Sequence, residues 1–385
     1  MKKIILALIF PILVFAQDYE LGKVTIQELN QKQHLTDTSA VAAILFSKGK
    51  SYFEYVENSH FVLMTDVEVK IKIYKKGGLD WANKEIAYYI GGDKDESVII
   101  NKATTYNIVN GKIEKTKLNG EGEFKENVNK FWATKKISMP NVKEGSIIEY
   151  KYTIKSPYFS NLQDWKFQQT IPVDYSEYKT IIPEYFSYNF YSRGNVILNT
   201  KKETKYRSID IYDKALATNG RNISYQNTTT RISLSENVTS IDTKNVPALV
   251  EEDYANNMDN YLSSIQYQLA SIKYPNEMIK LYSDTWEDVA KSINENYNFG
   301  EELKKDNYFE ADYVKLVNGK DLTNEAKINT IYDYVKNHYK WNEMNEIYTD
   351  VGVNKAYKDK VGNVAAINVK LISADRKSVV EGKSV

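Results

Sequence analysis

A two-residue hydrophobic period runs from about residue 61 to 240 and gives way to a 3.6-residue period after about 250. This switch narrows the folds open to the chain more than any other feature. Val67, Val69, Ile71 and Ile73 alternate with Asp66, Glu68, Lys70 and Lys72. Ile148, Tyr150, Tyr152 and Ile154 alternate with Glu149, Lys151, Thr153 and Lys155. Successive side chains of a strand point to opposite faces, so each run predicts a half-buried strand, apolar on one face and charged on the other. Asn110-Gly111 between two apolar runs predicts a two-residue hairpin with both central residues at positive φ. Lys76-Gly77-Gly78 and Arg193-Gly194-Asn195 predict further turns, and residues 223–233 another strand. Residues 17–55 are polar and mixed, with room for a short helix at 40–46. The region from 61 to 240 predicts an antiparallel sandwich or open barrel.

Beyond it, Thr285 and Asp288 are spaced as a capping pair, and Trp286, Val289, Ala290, Ile293 and Tyr297 share one helical stripe. Thr323 predicts the cap of a second helix with the stripe Ile328, Ile331, Tyr332, Val335 and Tyr339. Asn363 predicts the cap of a third, with Ile367 and Leu371 facing inward. Strands followed by helices predict an α+β chain of two domains with the junction near 245–280.

The chain has no cysteine, which removes a thiol nucleophile, Cys-ligated zinc, iron–sulfur clusters and disulfides from consideration. Lys plus Arg equals Asp plus Glu at 51 each, so no net field draws it to nucleic acid. The 31 tyrosines fit a sticky aromatic surface or, more plainly, the codon bias that also enriches Lys, Asn and Ile. The three histidines, His34, His60 and His338, include no pair spaced for a metal on one element, and each reads as packed or solvated. Glu251-Glu252 and Glu301-Glu302 read as solvated surface. No nucleophile elbow, phosphate loop or dinucleotide fingerprint occurs, and no cofactor or metal is expected.

Lys2 and Lys3, an apolar run at 4–15, and Val14 and Ala16 before Gln17 have the form of a secretory leader, too short for a membrane span. No later stretch is long and apolar enough to predict a membrane-spanning helix. Export to the periplasm or the outer membrane is therefore expected.

Several runs then carry a family resemblance. Asn141 to Tyr150 (NVKEGSIIEY), Ser156-Pro157, Leu162 to Val173 (LQDWKFQQTIPV), Ser176-Glu177-Tyr178 and Ile182-Pro183-Glu184 occur in that order. Together they resemble a β-rich domain of unknown function that precedes a transglutaminase-like domain in exported proteins of Gram-negative bacteria. The resemblance covers roughly residues 50 to 245. Trp341-Asn342, Asp350 to Val353 (DVGV), Lys355 to Lys358 (KAYK) and Gly362 to Ala365 (GNVA) resemble that second domain's approach to its nucleophile. The resemblance implies a Cys where Val364 stands, with a His and then an Asp downstream, forming a papain-like triad for acyl transfer or peptide hydrolysis. A cysteine there would gain acidity from the positive end of the helix dipole. Valine cannot attack, and no histidine follows His338.

The reading is therefore of an α+β chain: an antiparallel β-sandwich domain followed by a partial, mainly helical transglutaminase-like lobe. Its expected layout is leader 1–16, lead-in 17–55, β-sandwich domain 56–250, linker 251–280, partial transglutaminase-like domain 281–374 and non-native tail 375–385. Truncation of the lobe there should expose an apolar patch. The expected role is non-catalytic binding or scaffolding in the cell envelope, with an envelope peptide, glycan or outer-membrane protein as partner. A transglutaminase-like or peptidase-type enzyme in a full-length form and a structural docking module for an outer-membrane partner are the alternatives. No catalytic residue is assigned.

Overall fold

A computed structural model describes residues 19–381 apart from 57–59, 161, 220–221, 251–252, 254–256, 283–284 and 318–319. The expected leader, the pair Glu251-Glu252 and the last four residues of the expected tail lie outside the described residues. The chain forms two compact units, Met1–Met278 and Ile279–Val385.

The first unit opens with a short helix α1 (Ile26–Asn30). Strands follow: β1 (Ala42–Val56), β2 (His60–Ile73), β3 (Asn83–Tyr89), β4 (Ser97–Val109), β5 (Lys112–Lys117), β6 (Glu123–Asn127) and β7 (Trp132–Ser138). Then come β8 (Ile147–Ser156), β9 (Trp165–Lys166), β10 (Val173–Pro183), β11 (Phe186–Arg193), β12 (Asn199–Asn219), β13 (Asn222–Val246) and β14 (Ser264–Ile272). Eight of them form one sheet in the order β12-β13-β10-β1-β2-β8-β4-β5. A three-stranded sheet runs β3-β7-β6, and β9, β14 and β11 form a third. Asn110 and Gly111 turn β4 into β5 with φ of 52° and 73°, the expected primed hairpin.

The expected antiparallel sandwich followed by a mainly helical lobe is corrected by this topology. The large sheet is mixed: β1 pairs with β10 in parallel, Ile44 opposite Val173 and Tyr52 opposite Ile181. Alternation reports that a strand has one buried face but not the direction of its neighbour, and a parallel partner can come from far along the chain. With 44% strand and 23% helix, the chain as a whole is strand-dominated. Of residues 40–46, where a short helix had room, 42–46 form the start of the central strand β1 instead. Ser264–Ile272, inside the expected linker, pairs with β11 as a strand.

A second correction concerns the charged face of the central strands. Lys70, Lys72 and Glu149 are buried, not solvated. The segment around α1 covers them and supplies their partners. Lys70 Nζ donates to the Lys23 carbonyl at 2.9 Å and to Glu28 Oε1 at 2.6 Å. Lys72 Nζ donates to the carbonyls of Leu29 and Gly145 at 2.7 and 2.6 Å. Glu149 Oε2 accepts from Gly22 N–H at 2.7 Å and Tyr106 O–H at 2.9 Å. Buried charge is tolerated only when partnered in this way. Burial pushes the Lys72 ammonium down to about 8.

The second unit contains β15 (Lys280–Leu281), α2 (Trp286–Glu295), α3 (Gly300–Leu303), α4 (Glu310–Leu316), α5 (Asn324–His338), β16 (Lys340–Trp341), α6 (Val353–Asp359), β17 (Val361–Gly362) and α7 (Val364–Glu381). Thr285 and Thr323 cap α2 and α5 through the backbone N–H groups of Asp288 and Ala326, as their spacing predicts. The stripe of α2 is nevertheless exposed: Trp286, Val289, Ile293 and Tyr297 bury no face. On α5 only Ile331 and Val335 are buried. On α7 the buried positions among the described residues are Ala365, Ala366, Val369, Lys370, Ser373 and Ala374, while Ile367 and Leu371 are half-buried, so the inward face is rotated from the expected one. The helix continues past Ala374 to Glu381. Phe309, Tyr313, Val317, Ile331 and Ala374 make the small core.

Gly49 of β1 lies beneath the rings of Trp165 and Tyr178, and a Cβ there would overlap both. Gly49→Ala should destabilise the first unit by about 1–3 kcal/mol through overpacking. Gly120→Ala, whose Cβ would meet open space, should stay within about 0.5 kcal/mol of wild type. Urea titrations of the two variants check the contrast.

Candidate functional site

The first candidate is the start of α7. Strands β16 and β17 pair in parallel, Trp341 opposite Gly362, and bring the Trp341-Asn342 run beside the entry to the helix. Asn363 is fully buried: its Oδ1 accepts from Ala366 N–H at 2.9 Å and its Nδ2 donates to the Tyr348 carbonyl at 2.8 Å. The expected cap is thus formed, with a second anchor that spacing did not foretell. Val364 N–H and Trp341 Nε1–H both donate to the Met344 carbonyl, at 3.2 and 3.0 Å. Asn342 Nδ2 donates to Asp350 Oδ2 at 3.1 Å. The structure therefore gathers Trp341, Asn342, Asp350, Asn363 and Val364 around one helix terminus. The side chain presented there is the half-buried isopropyl group of Val364, which has no lone pair to attack with.

His338, the histidine of this unit, packs elsewhere. Its ring stacks on Tyr357 at 4.8 Å, and Nε2 donates to the Tyr357 carbonyl at 3.2 Å. Tyr334 and Tyr357 hydroxyls both donate to Asp312 Oδ2, which holds that carboxyl below its ordinary range. One further group was misjudged from sequence, and another, Lys370, carried no sequence signal. Glu302 is buried, not solvated, and its Oε2 accepts from Val353 N–H at 2.7 Å at the start of α6. Lys370, on the inward face of α7, is fully buried with its Nζ over the Phe309 ring and near those of Tyr308 and Tyr357. Its ammonium has no hydrogen-bond partner among the described residues, and burial drives it down to about 6.

His34, in the first unit, is packed: its Nε2 meets Asp174 Oδ1 at 2.8 Å while Nδ1 accepts from Asp37 N–H at 3.2 Å. Burial raises the Asp174 carboxyl. His60 opens β2. Among the described residues no group of three His, Asp or Glu side chains converges as metal donors.

The second candidate is a groove of about 980 Å³ in the first unit. Its floor is the central strands β2 and β8, through Leu63, Thr65, Ile154 and Ser156. The three-stranded sheet contributes Ala87, Tyr89 and Trp132, and the third sheet contributes Tyr191, Arg193, Gln266, Tyr267 and Gln268. Glu96, Tyr158, Ser160 and the loop Leu162-Gln163-Asp164 complete the lining. Tyr89 meets Trp132 and Tyr158 edge-on at 5.4 and 5.5 Å. Glu96 Oε2 accepts from Tyr89 N–H and Asp164 Oδ2 from Gln266 Nε2, both at 2.6 Å. These residues come from strands far apart in sequence, so no local pattern announces them. The one signal available was the LQDWKFQQ run, whose first three residues line the groove.

Residues 65–218 match the family described as "Domain of Unknown Function with solved-structure structure (DUF3857)". A solved structure from Parabacteroides distasonis ATCC 8503, described as a "putative protease", aligns with a TM-score of 0.56 at 12% identity. The alignment covers 88% of this chain and 59% of that one, so the chain spans about three fifths of that protein's length. That likeness establishes a shared fold. No curated protein matches the chain. Among the described residues no helix is long and apolar enough to cross a membrane.

The unfolded chain keeps the Lys370 proton up to its ordinary 10.5, whereas the folded one releases it near 6. The unfolded state therefore binds more protons across that interval, and stability rises with pH through it, by at most about 1.4 kcal/mol per pH unit for one group. Lys370→Met should be more stable than wild type near pH 6, the gap narrowing toward pH 9. Thermal melts of both proteins across that range check the sign.

Proposed function

We propose that this is an exported cell-envelope protein that acts by binding, and that its second unit keeps the frame of a transglutaminase-like thiol site without the thiol. The observation that carries the reading is Val364 at the capped start of α7, where the resemblance implies a nucleophile. Asn363, Trp341 and Asn342 hold that terminus in place. Support for a missing base comes from His338, whose ring is engaged with Tyr357 and whose Nε2 bonds a carbonyl. Export rests on the leader-like first 16 residues.

A second reading is favoured by the likeness to the longer "putative protease". On that reading the chain is part of a peptidase-type or transglutaminase-like enzyme whose remaining groups lie beyond it.

Val364→Cys tests the binding reading. A cysteine there gains acidity from the helix terminus but has no base beside it. The purified variant should form no acyl-enzyme and turn over neither a glutamine-donor substrate nor a peptide, as read by mass spectrometry. Turnover by wild type that disappears on changing a single residue sinks the binding reading. For export, N-terminal sequencing of the periplasmic protein should start at Gln17, and an intact Met1 refutes a cleaved leader.

A further inference from the structure

We infer that the groove of the first unit binds a linear chain of pyranose sugars. This deepens the binding reading by naming the site and the class of ligand.

The first ground is the aromatic lining. Trp132 and Tyr191 belong to different small sheets and are 44% and 48% exposed on the same groove. Large aromatic faces left in water are costly unless something covers them, and the C–H faces of a pyranose ring are flat, apolar partners for such faces. Tyr89 braces Trp132, so the platform is set before a ligand arrives.

The second ground is the polar inventory. Glu96 and Asp164 each use one carboxylate oxygen within the protein, which fixes the side chain and leaves the other oxygen unbonded among the described residues. Gln163, Gln268 and Arg193 also line the groove, and their side chains make no hydrogen bond among those residues. A sugar hydroxyl donates one hydrogen bond and accepts others, and this mixture of pinned acceptors with amide and guanidinium donors answers both needs. Fixed partners lower the ordering cost of binding.

The third ground separates sugars from peptides. Extended peptides are commonly taken up by adding a strand to a free sheet edge. The floor strands β2 and β8 are each paired on both sides, and of the two edge strands that line the groove, β3 and β11, β3 has the N–H and carbonyl of Tyr89 taken by Glu96. On the floor and at Tyr89 recognition must therefore run through side chains. The volume of about 980 Å³ lies at the top of the range of roughly 300–1,000 Å³ usual for ligand sites, which suits several linked rings over one.

Isothermal titration of the full chain with cellohexaose and chitohexaose, with glucose and N-acetylglucosamine as monomer controls, tests the inference. At least one hexasaccharide should bind, with the monomers weaker by about tenfold or more. Trp132→Ala should weaken the hexasaccharide about tenfold and Trp132→Phe should restore most of the loss. Asp164→Asn and the exposed Gln268→Ala should each weaken it measurably while leaving the melting temperature unchanged, which keeps the test valid if Trp132→Ala fails to fold. The inference is overturned if neither hexasaccharide binds wild type at millimolar concentration. It is equally overturned if binding ignores a folded Trp132→Ala together with Asp164→Asn and Gln268→Ala. An unmodified extended peptide that binds in place of the sugars and is lost in the same variants overturns the ligand class while leaving the binding reading intact. Hydrolysis of a bound hexasaccharide overturns the binding reading and leaves the site in place.

Discussion

Trp165 belongs to one sheet and rests on another, and the first unit is organised around that contact. As part of β9 it pairs with Ile265 of β14, while its ring stacks on Tyr178 of β10 at 5.1 Å and lies against Gly49 of β1. Its Nε1 donates to Ser176 Oγ at 3.0 Å, and a chain of hydroxyls from Tyr178 through Ser51 to Thr65 continues into β2 at 2.8 Å per step. The third sheet is thereby fixed to the middle of the large one. A strip of β2 and β8 remains between it and the three-stranded sheet, and that strip is the floor of the groove.

The two units handle a buried cation in opposite ways. Lys70 and Lys72 are buried with two oxygen acceptors each, which offset the cost of taking a charge out of water. Lys370 is buried just as deeply among tyrosine and phenylalanine rings without an acceptor for its ammonium among the described residues. The first arrangement ties a segment down. The second leaves a proton that the fold gives up as the medium becomes less acidic, which ties the stability of the small core around Phe309 to pH.

Local structure was legible where a single residue type fixes it. Asn110-Gly111 forces its turn, and Thr285, Thr323 and Asn363 cap the helices that follow them. What alternation cannot encode is what lies across a face. Lys70 and Glu149 read as solvent-facing because the segment that covers them sits some 40 to 130 residues earlier in the chain. The parallel pairing of β1 and β10 was hidden for the same reason. At the candidate sites, the frame of the α7 terminus could be read from motifs that run in order. The groove could not, since Trp132, Asp164, Tyr191 and Gln268 meet only through tertiary pairing.

The lysines that hold α1 in place bond mostly to main-chain carbonyls, those of Lys23, Leu29 and Gly145, and only Glu28 takes part through a side chain. Every amino acid carries a carbonyl, so the identity of the residues at 23 and 29 is invisible to Lys70 and Lys72. The polar part of the docking is therefore written mostly in the strand that receives the segment, while the apolar part rests on Leu29 buried against Leu45, Tyr106 and Ile147. The segment's path thus tolerates a change of side chain at Lys23, which offers only its carbonyl to Lys70, but not the loss of the apolar group at Leu29.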